Sequence, residues 1–413
     1  MGLLGDASGR LQHDWTYNTS KIITLMLRIP VTERPDLMSV AADHGLKYSS
    51  SDGIEGWNED VYYQFALDQV ELDLEGPAEE LESLCFQVLE RAVKNESVLK
   101  KLGIPEFFWN YIANSWKSHE KNLYGRMDFS YDGKGPAKLL EYNADTPTTL
   151  YETAVFQWEW FEQATLMGLL PEGGNQFNDV HEKIVESMPF LGSETVSHFA
   201  CNADIEDDKG TLDYVKECAK EAGLETCFIA MEDIGIDETG NFTDLDDRII
   251  TTLFKLYPWE WIMREEFGRY VPKSGVNFVE PPWKAILSNK GLMPLLWSMF
   301  EGHPNLLPSY FENDPAVASI IDSGTYVRKP LLSRQGSNIE IVINNQLYCK
   351  SDGPYGKDPH IIQGFHPLPE YAGNYPLVGC WLVASKAAGL GIREDKTLVT
   401  NKNARFVPHI IFD

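Results

Sequence analysis

The sequence predicts a mixed α+β protein folded as one compact, multi-part unit. Three observations carry that expectation. A helix-rich stretch runs from Glu71 to Asn122, strand and helix alternate from about Glu194, and strand texture dominates from Pro281 to the end.

The elements follow in order. LESLCFQVLERAVKN spaces its apolar residues as one helix face, and FFWNYIANSWKSHEKN repeats the pattern after Pro105. Next, YGRMDFSYDGKGPAKLLEYNADTP (Tyr124 to Pro147) reads as two strands around a reversal. TLYETAVFQWEWFEQA is a further helix whose stripe is largely aromatic. ETVSHFACNAD looks like a buried strand with an acidic end. GTLDYVKECAKEAGLETCFIAMEDIGI then gives helix, glycine stop and strand. RIITTLFKLYPWEWI adds a strand and a helix start. IIDSGTYVRKPLL, NIEIVINNQLYCK and PLVGCWLVAS are β-rich, with Asn344-Asn345 as a turn signal.

At 413 residues the chain exceeds what one core usually holds, so two or three subdomains are expected. The 62 acidic against 35 basic residues give a net charge of −27. Such a surface repels nucleic acid and anionic membranes and attracts cationic small molecules. Six cysteines without a C-x-x-C pair argue against a disulfide scaffold or structural zinc. MGLLGDASGRLQHDW lacks a basic region followed by a long apolar run, and no stretch is apolar enough to span a membrane. A soluble, cytoplasmic protein is the expectation.

The hairpin is the most informative stretch. Asp132-Gly133-Lys134-Gly135 tolerates the backbone of a tight reversal. Alternate strand residues share a face, so Arg126 goes with Asp128, and Glu141 with Asn143 and Asp145. A loop of two or four residues would bring both sets to one side, leaving Met127, Phe129, Leu140 and Tyr142 on the apolar other. Three oxygen-bearing side chains suit magnesium, and Arg126 beside them suits a carboxylate or phosphate. A solvated sheet face with a surface ion pair is the competing reading. Ser333-Arg334-Gln335-Gly336-Ser337-Asn338, with Lys329 at its base, is either a phosphate-covering loop or an ordinary β-turn. Neither G-x-x-x-x-G-K-[ST] nor G-x-G-x-x-G after a strand is present. Lys290 falls at a turn-to-helix junction, where a lone lysine is commonly exposed. Arg393 close to Asp395 fits a plain turn ion pair. The segment around Gln363 reads as an inter-strand hinge.

Taken in order, YGRMDF, LLEYNADTPT, DIEDD, LFKLYPWEW, PWKAILSNKGLMPLLW, RKPLLSRQGSNI, IIQGFHPLP and GIREDKTLV resemble the synthetase part of the glutathionylspermidine synthase family and its stand-alone acid–amine ligase relatives. The resemblance implies an ATP-grasp fold in permuted motif order, with a pre-ATP-grasp-like α/β subdomain. The unit would span 15–413. Residues 190–280 would form the substrate side; 281–413 and the 124–147 hairpin would form the ATP-grasp part. It implies magnesium on Asp128, Glu141 and Asn143, and a transition-state role for Arg126 and Arg393. Nucleotide contacts fall on Arg126, Asp128, Lys290, Lys329, Gln335, Gly336, Gln363, Gly364, Phe365, His366, Leu398, Val399 and Thr400. Substrate contacts fall on Thr146, Glu206 and Asp207. The reaction it implies is amide formation: a carboxylate is activated by ATP as an acyl phosphate and then attacked by an amine, with a glutathione-like peptide as the acid and a polyamine-like amine as the acceptor.

Departures matter as much. Trp261 stands where the family has a small hydroxyl residue and Arg405 where it has an acid, so the acceptor pocket reads as altered. The chain has no room for the amidase domain of the bifunctional members, and amidase activity is not expected. Two other readings remain open: a non-catalytic nucleotide-binding protein that retains the fold, and a glycoside hydrolase using Asp128 and Glu141.

Overall fold

The structure is a computed structural model and describes residues 26–43, 48–49, 53–54, 56–191 and 196–413. The opening MGLLGDASGRLQHDW lies outside the described residues, as does Glu194.

Two five-stranded antiparallel sheets and one parallel sheet organise the chain. The first runs Arg405–Val407, Lys386–Asp395, Tyr375–Val383, Tyr124–Ser130, Lys138–Asn143 in spatial order. The second runs Ser309–Phe311, His360–Gly364, Tyr326–Pro330, Glu340–Ile343, Gln346–Lys350. The parallel sheet runs Asn277–Val279, Thr252–Leu256, Ser197–Cys201, Thr226–Ala230, with the helix Glu206–Glu221 crossing over between its last two strands. Near the C-terminus His409–Phe412 pairs in parallel with Val61–Ala66, so the first and last parts of the described chain share a sheet.

The helices lie where the apolar periodicity puts them, at Gly76–Ala92, Glu106–Lys117 and Gln157–Leu166. Asn344 and Asn345 both adopt the left-handed backbone that a two-residue hairpin needs. Pro281 onward is less uniformly stranded than its texture suggests, because Lys284–Leu287 and Leu292–Met299 are helices. Their apolar residues are buried on several sides, and a fully buried helix carries no alternation to tell it from a strand.

The hairpin corrects its own derivation. The connection between its strands is Tyr131–Ala137, an odd count. With Ser130 opposite Lys138, a regular ladder would set Asp128 against Leu140. A one-residue bulge intervenes, so Asp128 faces Glu141 and Arg126 faces Asn143. The bulge restores by insertion the parity that the loop removes. It also replaces Leu140 with Leu139 in the core: Met127, Phe129, Leu139 and Tyr142 are buried, while Leu140 is half-buried.

Asp145 does not join the polar face. It lies beyond the strand and turns into the interior, where its carboxylate accepts from Lys255 Nζ at 2.6 Å and from the Trp259 backbone N–H at 2.8 Å. Lys255 also sits 4.4 Å from the centroid of the Trp259 ring. Both ionised side chains are sealed from water, so each is tolerable only with the other. This pair fastens the hairpin exit to the end of a parallel-sheet strand. Asp145→Asn should cost about 3–5 kcal/mol of unfolding free energy by leaving a buried ammonium without its carboxylate. Denaturant unfolding checks this, and a loss well below that range would mean that the site reorganises.

Candidate active site

Four strands from the two antiparallel sheets deliver one cluster of charge. Arg126 and Asp128 are two apart on the same strand, and their side chains meet: Nε to Oδ1 at 2.6 Å and Nη2 to Oδ2 at 3.1 Å. Arg393, on the strand Lys386–Asp395, reaches the same Oδ2 at 2.8 Å. Its partner is therefore Asp128, not Asp395. Asp395 instead accepts backbone N–H bonds from Thr397 and Asn401. The plain turn ion pair is thus excluded by register: Arg393 lies inside a strand, and Asp395 closes the loop after it.

Asn143 donates its amide to both Asp128 and Glu141, at 3.0 and 3.1 Å. Lys290 Nζ lies 3.0 Å from Glu141 and donates to the Ser333 carbonyl at 2.6 Å. It is buried rather than solvent-exposed, and it ties the loop to the hairpin. Lys329 donates to the Leu140 carbonyl at 3.0 Å and to Gln363 Oε1 at 2.7 Å. The bulge residue thus offers its carbonyl to the second sheet.

Space for this cluster is made by glycine. Gly379 pairs with Asp128 across the sheet, and a Cβ there would stand 2.6 Å from Arg126 Cδ. Nothing larger fits beside the guanidinium stem. On the other rim of the cluster, Gln335 and Gly336 have left-handed backbones, and a Cβ on Gly336 would lie 2.6 Å from the Thr400 carbonyl. The loop and the segment Leu398–Thr400 therefore pack directly. Leu398, Val399 and Phe365 join Val327, Ile339 and Ile341 in a small apolar cluster beside Lys329 and Gln363.

Electrostatics follow from burial among like charges. Burial and the adjacent Arg126 guanidinium push Arg393 down to about 10, against the pull of Asp128. Burial pushes Lys329 down to about 8, with Glu141 opposing and Lys290 adding to the fall. Burial alone would raise Glu141, but Lys290 and Lys329 hold it well below the usual carboxylate range. Four cations face two carboxylates, an excess of two positive charges inside a protein of net charge −27. Several donors nearby have no partner: Gln363 Nε2, and the hydroxyls of Ser333 and Thr400. A cationic pocket with idle donors beside an apolar patch fits an anion with an apolar head. The oxygens of Asp128, Glu141 and Asn143 fit a hard divalent cation, provided the Asn143 amide turns its oxygen inward.

The remaining candidates divide. Thr146 is buried, and its hydroxyl and carbonyl accept from Arg334 Nη2 at 2.7 and 3.0 Å. Glu206 and Asp207 begin the crossover helix after the strand Ser197–Cys201. Gly364 ends a central strand of the second sheet, and His366 lies beyond it on the exposed surface. The hinge expected around Gln363 is thus that strand and its exit. Arg405 pairs across the sheet with the buried Glu394 at 3.6 Å, and Trp261 packs edge-on against Tyr257. Glu260 escaped sequence reasoning, and Arg334 entered it only as part of its loop. Their ion pair, at 3.5 Å, joins a polar loop to an aromatic run, and neither stretch alone signals the contact. Among the described residues, no helix is long and apolar enough to cross a membrane.

Comparison with known proteins agrees over nearly the whole chain. Residues 28–412 match the family model described as glutathionylspermidine synthase preATP-grasp. A Haemophilus influenzae protein named "Putative acid--amine ligase" is 38% identical over 390 residues, covering 91% of this chain and 97% of that one. The bifunctional glutathionylspermidine synthetase/amidase of Escherichia coli is 26% identical over 86% of this chain, which spans 60% of it. The trypanothione synthetase of Crithidia fasciculata is 26% identical over 79% of this chain, which spans 53% of it. In structure, the chain is similar to a glutathione synthetase-like effector from Globodera pallida in its apo form. The TM-score is 0.56 at 11% identity, over 92% of this chain and 98% of that one. The fold is therefore glutathione synthetase-like.

Two expectations follow from the geometry. Gly379→Ala should displace Arg126 and weaken ATP binding while the fold persists, read by nucleotide titration beside a circular-dichroism melt. Raising pH through about 8 removes the Lys329 charge and halves the cationic excess, so ATP affinity should fall between pH 7 and 9. The stability term has the opposite sign. The ordinary lysine value is 10.5, so the unfolded chain holds the extra proton between about 8 and 10.5, and the folded state gains as pH rises through that window. Lys329→Met should flatten the pH dependence of ATP binding; a profile as steep as wild type would contradict the assignment.

Proposed function

Because the chain belongs to the glutathionylspermidine synthase family, a family of ATP-dependent acid–amine ligases, we propose that it forms an amide bond through an acyl phosphate, using magnesium and the residues of this charge cluster. The observation that carries the reading is the buried excess of two positive charges bounded by carboxylates. An ATP–magnesium complex carries a matching charge of opposite sign.

In this reading Asp128, Glu141 and Asn143 hold magnesium, which when bound screens the phosphates and polarises the transferring one. The two carboxylates are in contact with Lys290, Arg126 and Arg393, so the cations would shift from carboxylate to phosphate as the site fills. Lys290 and Lys329 then grip the nucleotide, and Arg126 and Arg393 face the charge that builds on the transferred group. Gln363, Phe365 and Leu398–Thr400 line the apolar head site, with Gly364 and His366 at its rim. The loop carrying Gln335 and Gly336, packed against Thr400 and accepting a hydrogen bond from the Ser351 hydroxyl, would keep water from the acyl phosphate. Thr146, Glu206 and Asp207 would contact the joined substrates. The fold would be an ATP-grasp with permuted motif order. Residues 281–413 with the 124–147 hairpin would form the nucleotide-gripping part, and 190–280 the substrate side.

The acid and amine are left to chemistry on the acceptor side. The E. coli relative's name joins glutathione to spermidine, and a peptide acid with a polyamine is the natural first pair to test. Arg405, in an acid's place, is occupied by Glu394, which supports a different acceptor contact. Phosphate release from ATP, screened over peptide acids and amines, tests the reading directly. Release only when both an acid and an amine are present is expected. A protein that binds ATP yet releases none with any pair would be a non-catalytic binder. Asp128→Asn and Asn143→Ala should each abolish most of the magnesium-dependent part of thermal stabilisation by ATP. Unchanged stabilisation in both would sink the metal assignment. Arg126→Met should weaken ATP binding as Gly379→Ala does and, at saturating ATP, also lower kcat by about two orders of magnitude.

A further inference from the structure

A cavity of about 140 Å³ opens beside the charge cluster. Asn143, Thr146 and Lys290 form its inner corner, next to the carboxylates described above. Leu102, Ile104 and Met263 give it an apolar wall that a phosphate or a metal has no use for. Glu260 faces into it from the short helix Trp259–Ile262, with its side chain only 13% exposed. A carboxylate set in such a wall needs a cation.

Of the three cations lining the cavity, Lys290 pairs with Glu141 and Arg264 with Asp358, and Arg334, the one left for Glu260, serves it poorly. Arg334 makes its two short hydrogen bonds to Thr146 and meets Glu260 only at 3.5 Å, beyond a good hydrogen bond. Arg334 sits on the loop between the strands Tyr326–Pro330 and Glu340–Ile343, and its better partner is Thr146. A buried acid, a short apolar wall and a loosely paired counter-ion match a primary alkylammonium: one charged nitrogen on a small hydrocarbon.

We propose that this cavity is the acceptor-amine pocket and that Glu260 binds the attacking nitrogen and takes its proton. The pocket stands on geometry alone; the proton transfer rests on the ligase reading above. Glu260 removes one proton from R–NH3+, and the freed lone pair forms the C–N bond at the acyl carbon. The C–O bond to phosphate breaks, and the departing phosphate carries off a second proton. One N–H remains on the amide, and the charges balance without another reactant. Burial raises the Glu260 carboxyl above its ordinary value, with Arg334 opposing, which suits a group that must accept a proton near neutral pH.

The test has two arms. Binding of n-butylamine to the full-length protein, measured by calorimetry at millimolar concentrations, should be saturable at one site. It should weaken at least tenfold in Glu260→Gln and in the cavity-filling Met263→Trp, with ATP affinity unchanged in both. No binding to wild type, or equal binding to all three proteins, overturns the pocket whatever the activity. The second arm compares n-butylamine with hydroxylamine, a neutral nucleophile that needs neither the carboxylate contact nor deprotonation. Hydroxamate formed from ATP and an acid reports activation alone. Glu260→Gln should keep hydroxamate formation and lose at least tenfold in kcat/KM for butylamine. Equal loss with both acceptors overturns Glu260 as the base. Butylamine binding without hydroxamate from any acid would instead count against the ligase reading and, with it, the proton transfer, while leaving the pocket standing.

Discussion

Six ionisable side chains, Arg126, Asp128, Glu141, Lys290, Lys329 and Arg393, are held largely away from water, and each is tolerable only because the others surround it. A lone charge in that place would be displaced by burial towards its neutral form. The set avoids this by interleaving, since Asp128 is gripped by two guanidinium groups and Glu141 by an ammonium. Compensation is incomplete, and Lys329 and Arg393 both lie below their ordinary values. The unmet positive charge is what makes the place receptive to an anion.

Holding such a cluster makes demands on the backbone around it. The bulge at Leu140 brings the two hairpin strands into the register that places four polar side chains on one face. Gly379 gives up a side chain so that Arg126 can lie across the next strand. Met127, Phe129, Leu139 and Tyr142 bury the opposite face and stiffen the ribbon from behind. The Asp145–Lys255 pair then fixes the ribbon's exit against the parallel sheet. Polar front, apolar back and a sealed anchor are three consequences of a hairpin that must point charge in one direction.

The second sheet contributes reach rather than rigidity. Its loop from Leu331 to Ile339 touches Lys290 through the Ser333 carbonyl, Thr146 through Arg334 and Thr400 through Gly336. Leu331, Leu332 and Ile339 pack into apolar clusters at the loop's two ends, while the contacts from Ser333 to Asn338 are polar or depend on the left-handed backbone at Gln335 and Gly336.

Much of this was legible in the sequence. Helical periodicity located the long helices, and strand alternation identified the hairpin's polar residues. The order of separated motifs marks the family, because each motif is a local solution to a local chemical need. Other features were closed to that reading. The bulge leaves no compositional trace, since Leu140 is an ordinary strand residue. That Asp145 is an anchor and Arg393 a partner of Asp128 depends on residues 110 and 265 positions away. Glu260 and Arg334 meet only when the loop folds over the aromatic run. Composition and periodicity set which side chains are available, their local element and their period; which charges meet follows only from the way the chain closes. The physical reason is that periodicity is a property of near neighbours, whereas the partner of a buried charge is chosen by the closure of the whole chain.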